Sequence, residues 1–204
     1  MVPFGGWEMP LSYPSGTLEE HRACREGAVA FDVSHLGTVR VEGPRALESL
    51  QNALTNDLGK VAPGRAQYTH LLDDDDASVL DDIIVWWIAD DVFDVMPNAS
   101  NTDRVTEALR SEASGSPDDL RIADTTSTRA IIAIQGPEAR ARLATVLDEP
   151  SGIGRFRVGS FTFEGLVAPE ILRTNCSAAL RTSPSVTGGS KLKRGRMFRH
   201  MRVF

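Results

Sequence analysis

The sequence has little that points to metals, phosphates, membranes or secretion. Its 204 residues hold two cysteines, Cys24 and Cys176. They form no Cys-x-x-Cys and no disulfide framework, which is the usage of a reducing compartment. The longest apolar run, Ile83 to Ala89, falls far short of the roughly 20 residues a membrane helix needs. Met1-Val-Pro-Phe-Gly-Gly-Trp7 lacks the basic start and apolar stretch of a signal peptide. The expected setting is therefore cytoplasmic, or the mitochondrial matrix in a eukaryote, with no membrane partner. No Gly-x-Gly-x-x-Gly follows a strand and no Walker loop occurs. His21, His35, His70 and His200 have no metal-ligand spacing among themselves or with the cysteines, so no metal is expected. Ser34 and His35 are adjacent but lack a third partner, and the pair reads as a turn rather than a nucleophile and its base.

What is present is an ordinary globular composition, 41% hydrophobic and 25% charged, in a chain long enough to bury a core. The net charge of −6 argues against a general nucleic-acid binder. Residues 1–165 carry 14 Lys and Arg against 27 Asp and Glu, whereas residues 166–204 carry 8 against 1. A change of sign at one point predicts a boundary there. On this reading residues 1–165 are an acidic, enzyme-like domain and residues 166–204 a basic, non-native or disordered tail. Thr182 to Ser190 is linker-like, and the basic run Lys191 to Arg202 shows no periodicity that would bury a face. A nucleic-acid-binding arm is the alternative reading of that run.

Periodicity predicts α+β architecture with antiparallel sheet, because strands and helices mix without a regular βαβ rhythm. Gly5 to Pro10 reads as a loop, and Thr17-Leu-Glu-Glu20 as a capping box opening a helix to about Gly27. Val39 and Val41 mark a strand, followed by a helix through Leu47, Leu50 and Leu54 with Pro44 in its first turn. Gln67 to Leu72 and Val79 to Ala89 form a hairpin, and Asp91 to Met96 a third strand ended by Pro97. Asn101 is the expected N-cap of a helix reaching Ala113. Leu120 to Ala123 and Ala130 to Gln135 read as strands, and a helix follows Gly136-Pro137. The apolar parity switches across Gly159, which predicts a tight turn between two short strands.

The acidic run Asp73 to Asp76 lacks the central Gly and terminal Glu of a calcium loop and reads as a solvated turn. Asp81 and Asp82 differ from it, since they enter an otherwise apolar strand. Period two puts Asp81 on the face of Val79, Ile83, Val85 and Trp87, and Asp82 on that of Leu80, Ile84, Trp86 and Ile88. They point opposite ways and cannot act as a paired acid and base. A carboxylate entering a buried sheet needs hydrogen-bond donors or a cationic ligand; a structural strand-entry role and a functional one both meet that need.

Seven collinear stretches carry a resemblance: Met1 to Pro10, Ala30-Phe-Asp-Val-Ser-His-Leu-Gly37, Thr55-Asn-Asp57, Gly64-Arg-Ala-Gln-Tyr68, Val79-Leu-Asp-Asp-Ile-Ile-Val85, Asn98-Ala-Ser-Asn101 and Ile134-Gln-Gly-Pro137. Together they resemble the T-protein of the glycine cleavage system, a tetrahydrofolate-dependent aminomethyltransferase. The resemblance implies a three-domain cloverleaf with folate in a central channel. It implies tetrahydrofolate as co-substrate and the lipoyl-bearing H-protein as partner. It also implies that Asp82, near folate N10, is the catalytic carboxylate. Tyr68 lines the folate site, Asn98 is a polar residue near the pterin, and Leu36 is an apolar contact. On this resemblance Asp82 takes the functional role.

The chain also departs from the family pattern. Met1 matches an internal methionine, and no Arg-Thr-Gly-Tyr-Thr-Gly-Glu-like motif follows Phe161-Thr-Phe-Glu-Gly165. The tyrosine, glutamate and later arginine of the family's distal folate site are thus missing. The expected domain is incomplete, and residues from about Leu166 are expected to be a frameshifted reading. The alternative function is a non-catalytic folate- or partner-binding module. Sarcosine and dimethylglycine dehydrogenases share a similar domain but add a flavin domain. The iron–sulfur assembly relatives carry a Lys-Gly-Cys-Tyr-type motif that is absent here.

Overall fold

The computed structural model describes residues 1–112, 119–147, 152–163, 166–173, 177–182 and 202–203. They belong to two compact units, His35–Ser127 on one hand and Met1–Ser34 with Thr128–Phe204 on the other. Those divisions differ from the boundary expected at Gly165. That glycine, residues 183–190 of the linker-like stretch, nearly all of the basic run and Ala113 lie outside the described residues.

The unit His35–Ser127 is built on five antiparallel strands. These are β4 (Val39–Glu42), β5 (Arg65–Leu72), β6 (Val79–Ala89), β7 (Val92–Met96) and β8 (Arg121–Asp124), in the order β5-β6-β7-β4-β8. Helices α2 (Ala46–Ala53) and α3 (Thr102–Ser111) supply the rest of its core. Alternate residues Val39, Val41, Leu71, Ile83, Val85, Phe93 and Val95 pack with Leu50 of α2 and Val105 and Leu109 of α3. Period two in the strands and three-to-four spacing in the helices put these apolar side chains on facing surfaces. Fully burying one such side chain contributes about 1.5–3 kcal/mol. The cluster therefore holds the sheet rigid under whatever its other face carries.

The second unit contains β3 (Val29–Asp32), β9 (Ala130–Gln135), β10 (Val158–Phe163), β11 (Leu166–Arg173), β12 (Ser177–Thr182) and β13 (Arg202–Val203), in the order β10-β11-β12-β9-β3-β13. All pairs are antiparallel except β13 with β3. Helix α4 (Ala139–Ala144) packs Ala139 and Leu143 against Ile134 and Ala28. Helix α1 (Thr17–Glu26) buries no residue.

Several expectations are corrected. The opening is a hairpin, β1 (Val2–Phe4) with β2 (Trp7–Met9), and positive φ at Gly5 and Gly6 closes it. The Thr17 capping box does not form: Gly16 is the N-cap, and Glu20 accepts the Tyr13 N–H at 2.8 Å instead. The parity switch at Gly159 is no turn. One strand, β10, runs through it, and the register shift against β11 between Gly159 and Phe161 places its extra residue on β11. Strands β11 and β12 carry the ladder past the point where charge changes sign, and β12 pairs with β9 from Ser177 to Thr182. Pairing to a preformed neighbour can impose strand where local pattern is weak.

Candidate functional site

Strands β5 and β6 bring two of the four sequence-derived candidates, Tyr68 and Asp82, together. In their register His70 faces Asp82 and Tyr68 faces Ile84, so Tyr68, His70 and Asp82 share one side of the sheet. Tyr68 is 49% exposed. The Asp82 and His70 side chains are 64% and 48% exposed, with Oδ1 and Nε2 3.8 Å apart. Tyr68 lies diagonal to Asp82, within the reach of long side chains across a strand pair. The reading of His70 as a failed metal ligand missed this. Its same-parity spacing from Tyr68 was the available signal.

Strand β5 is an edge strand, and the Thr55-Asn-Asp57 segment covers it. The Thr55 N–H donates to the His70 carbonyl at 3.1 Å. The His70 N–H donates to Thr55 Oγ1 at 3.2 Å, and Asn56 Nδ2 donates to the Tyr68 carbonyl at 2.8 Å. Gln67 Nε2 reaches the Asp57 carbonyl at 3.1 Å. The backbone under Tyr68 and His70 is thus fastened on its free side, which also blunts an edge open to foreign strands. The Asp57 carboxyl is held below the ordinary range first by the Gln51 amide, then by the Gly59 N–H and the Lys60 charge.

Asp81 occupies the opposite face and is 3% exposed. It accepts from the Asn98 N–H at 3.0 Å, Asn98 Nδ2 at 2.8 Å and Asn101 Nδ2 at 2.9 Å. Such donors are what a buried carboxylate requires. Asn101 is indeed the N-cap residue of α3, but its side chain makes no cap bond and turns to Asp81 and the Leu80 carbonyl. Asn98 Nδ2 also lies 3.3 Å from the Asp82 carbonyl. The Asn98-Ala-Ser-Asn101 corner therefore grips both aspartates of β6.

Leu36 enters through the backbone. Gly37, next in the chain, donates its N–H to the Pro97 carbonyl at 3.0 Å. A Cβ on Gly37 would stand 2.7 Å from Pro97 Cγ and collide with Thr102 Oγ1. Only glycine allows this approach. Leu36 itself is half-buried and brings no polar group.

Other candidates resolve into structure. The Ser34 hydroxyl donates to Asp32 Oδ1 at 2.6 Å and accepts the Ile131 N–H at 3.0 Å, as suits a turn. Asp73 Oδ1 accepts the Asp75 and Asp76 N–H groups, closing the acidic turn, with Ala77 at φ 58°. The Ser78 hydroxyl and N–H hold the Asp76 carboxyl below the ordinary range. Among the described residues no three His, Cys, Asp or Glu side chains are arranged to hold a metal ion, and no helix is long and apolar enough to cross a membrane. A half-exposed phenol ring beside an exposed carboxylate fits a flat heterocycle bearing N–H groups, with one face to stack on and one acceptor to pair.

This α+β arrangement of antiparallel sheets with packed helices recurs in solved structures. The glycine cleavage system aminomethyltransferase T from Bartonella henselae superposes with a TM-score of 0.78 at 30% identity, over 89% of this chain and 49% of that one. A heterotetrameric sarcosine oxidase from Corynebacterium sp. U-96 shares the fold alone, with a TM-score of 0.55 at 15% identity. The family model described as the GCVT N-terminal domain matches residues 1–174. The chain belongs to this family. Curated aminomethyltransferases are similar in sequence: that of Mycobacterium tuberculosis is 46% identical over 134 residues, and that of Chlorobaculum parvum 42% over 163. The chain spans 35% and 43% of those two relatives, less than half of each.

Proposed function

We propose that this site serves a tetrahydrofolate-dependent aminomethyltransferase of the glycine cleavage system. The methylene carbon would pass from the aminomethyl group on a lipoyl sulfur of the H-protein to tetrahydrofolate, releasing ammonia. New C–N bonds form at folate N5 and N10 while the C–S and C–NH2 bonds of the carrier break. The two protons leaving N5 and N10 end on the sulfur and the departing amine. Asp82, near N10, accepts or orients that proton and stabilises positive charge on the carbon in transfer. General-base help of about 10²–10⁴-fold corresponds to about 3–5 kcal/mol of barrier. Tyr68 offers its ring to the folate, while Asn98 and Leu36 border the pterin.

The observation that carries this reading is the exposed Asp82 carboxylate on one sheet face with Tyr68, in a chain of this family. Calorimetric titration of the chain with tetrahydrofolate tests binding. An Asp82→Asn variant should lose far more turnover with aminomethyl-lipoyl H-protein than folate affinity. Equal loss of both would remove the proton-acceptor role. The second reading is a non-catalytic folate- or partner-binding module. Folate binding without turnover would select it.

A further inference from the structure

Asp81 takes no part in the chemistry above, yet it is buried and surrounded by amides. A carboxylate offers lone pairs only, so every amide meeting it must present nitrogen. Asn98 Nδ2 and Asn101 Nδ2 both donate to Asp81 Oδ1, and the Asn98 N–H donates to Oδ2. The Asn98 Nδ2 contact with the Asp82 carbonyl, at 3.3 Å, ties the same amide to the neighbouring residue. With its nitrogen so committed, the planar Asn98 amide has its oxygen at the opposite corner. That oxygen accepts no hydrogen bond among the described residues, and Asn98 is exposed.

We infer that Asp81 is a positioning residue that holds the Asn98 amide nitrogen-inward, leaving Asn98 Oδ1 as an outward acceptor that selects a ligand edge bearing N–H donors. On the tetrahydrofolate reading, which this inference deepens and on which it rests, that edge is the amino-substituted pyrimidinone ring.

Asp81→Asn gives a directed test. The Asn98 backbone N–H cannot turn, so the new amide must place its oxygen there and its nitrogen toward the two side chains. Asn98 and Asn101 must then reverse, and Asn98 presents NH2 outward. The substitution conserves volume and keeps the three contacts of residue 81 partnered, while the reversed amides withdraw their N–H groups from the Leu80 and Asp82 carbonyls. The probes are tetrahydrofolate and 2-desamino-2-methyltetrahydrofolate, titrated calorimetrically. The native chain should prefer tetrahydrofolate by about tenfold, on the order of one hydrogen bond. Asp81→Asn should abolish that preference, weakening tetrahydrofolate about tenfold and the analogue less than twofold. Asn98→Ala, which leaves Asp81 two of its donors, should abolish it too and serves if Asp81→Asn does not fold.

A readout independent of folate is hydrogen exchange of the Asn98 side-chain NH2 by ¹⁵N NMR, slow in the native chain and fast in Asp81→Asn. Retention of the tenfold preference in either variant overturns the inference. So does free-amide exchange of Asn98 in the native chain. If the native chain binds neither probe, the folate reading fails and the selectivity with it. The exchange experiment then decides the positioning alone.

Discussion

The two faces of the five-stranded sheet treat neighbouring aspartates in opposite ways. On the face packed by α2 and α3, Asp81 lies beside Ile83 and Val85, and three N–H donors converge on it. On the other face, Asp82 keeps an exposed carboxylate beside His70 and Tyr68. One carboxylate spends its lone pairs on buried amides, and the other stays largely exposed. The second face is not uniform either. Asp94, opposite Trp86, is wholly buried and held by Arg40 through a two-point pair of 2.7 and 2.9 Å. At the β5–β6 end burial stops, and Tyr68, His70 and Asp82 are exposed.

The comparison breaks most forcefully at Arg40. Arg40→Ala leaves the Asp94 charge buried without its guanidinium, and urea unfolding should show a loss of about 3–5 kcal/mol. A loss under 1 kcal/mol would mean that this end of the face is as wet as the Asp82 end.

Next comes the pair itself. Asp81→Ala strips partners from the Asn98 N–H and the Asn101 amide and should cost about 2–4 kcal/mol. Asp82→Ala, at an exposed position, should stay within about 0.5 kcal/mol. Equal effects on the unfolding midpoint would erase the distinction between the faces.

Acidification gives the smallest effect. Asp57, Asp76 and Glu48 are held below the ordinary carboxylate range, chiefly by Gln51, Ser78 and Arg45 respectively. Because their folded values are depressed, their contribution is present above the unfolded values and lost as pH falls through the folded ones. The urea midpoint should therefore drop below roughly pH 4. Removing these three carboxylates by Asn or Gln substitution should shrink the drop while leaving the slope between pH 6 and 8 unchanged.

Much of the architecture was legible in the chain. Period two separated Asp81 from Asp82 and put Ile83 and Val85 on the Asp81 face, because strand geometry alone sets facing. The hairpin, the strand ending at Met96 and the helices after Pro44 and Asn101 follow from turn residues and apolar spacing. The missed features depend on pairing at a distance. Thr17 and Glu20 have the letters of a capping box, yet Tyr13 claims the carboxylate. Asn101 has the letter of a cap, yet a buried carboxylate 20 residues earlier claims its amide. Strand β12 forms against β9, and β11 against β12, in a segment whose composition predicted no order.

By itself, the order of residues determined which side each strand residue faces, which segments bury apolar surface and which family the chain resembles. Those properties need only local geometry and spacing. The tertiary structure alone decided which aspartate would be enclosed, that His70 would stand across from Asp82, and which way the Asn98 amide would turn. Each depends on register between segments far apart in sequence, and a hydrogen-bond donor acts only within about 3 Å of its acceptor.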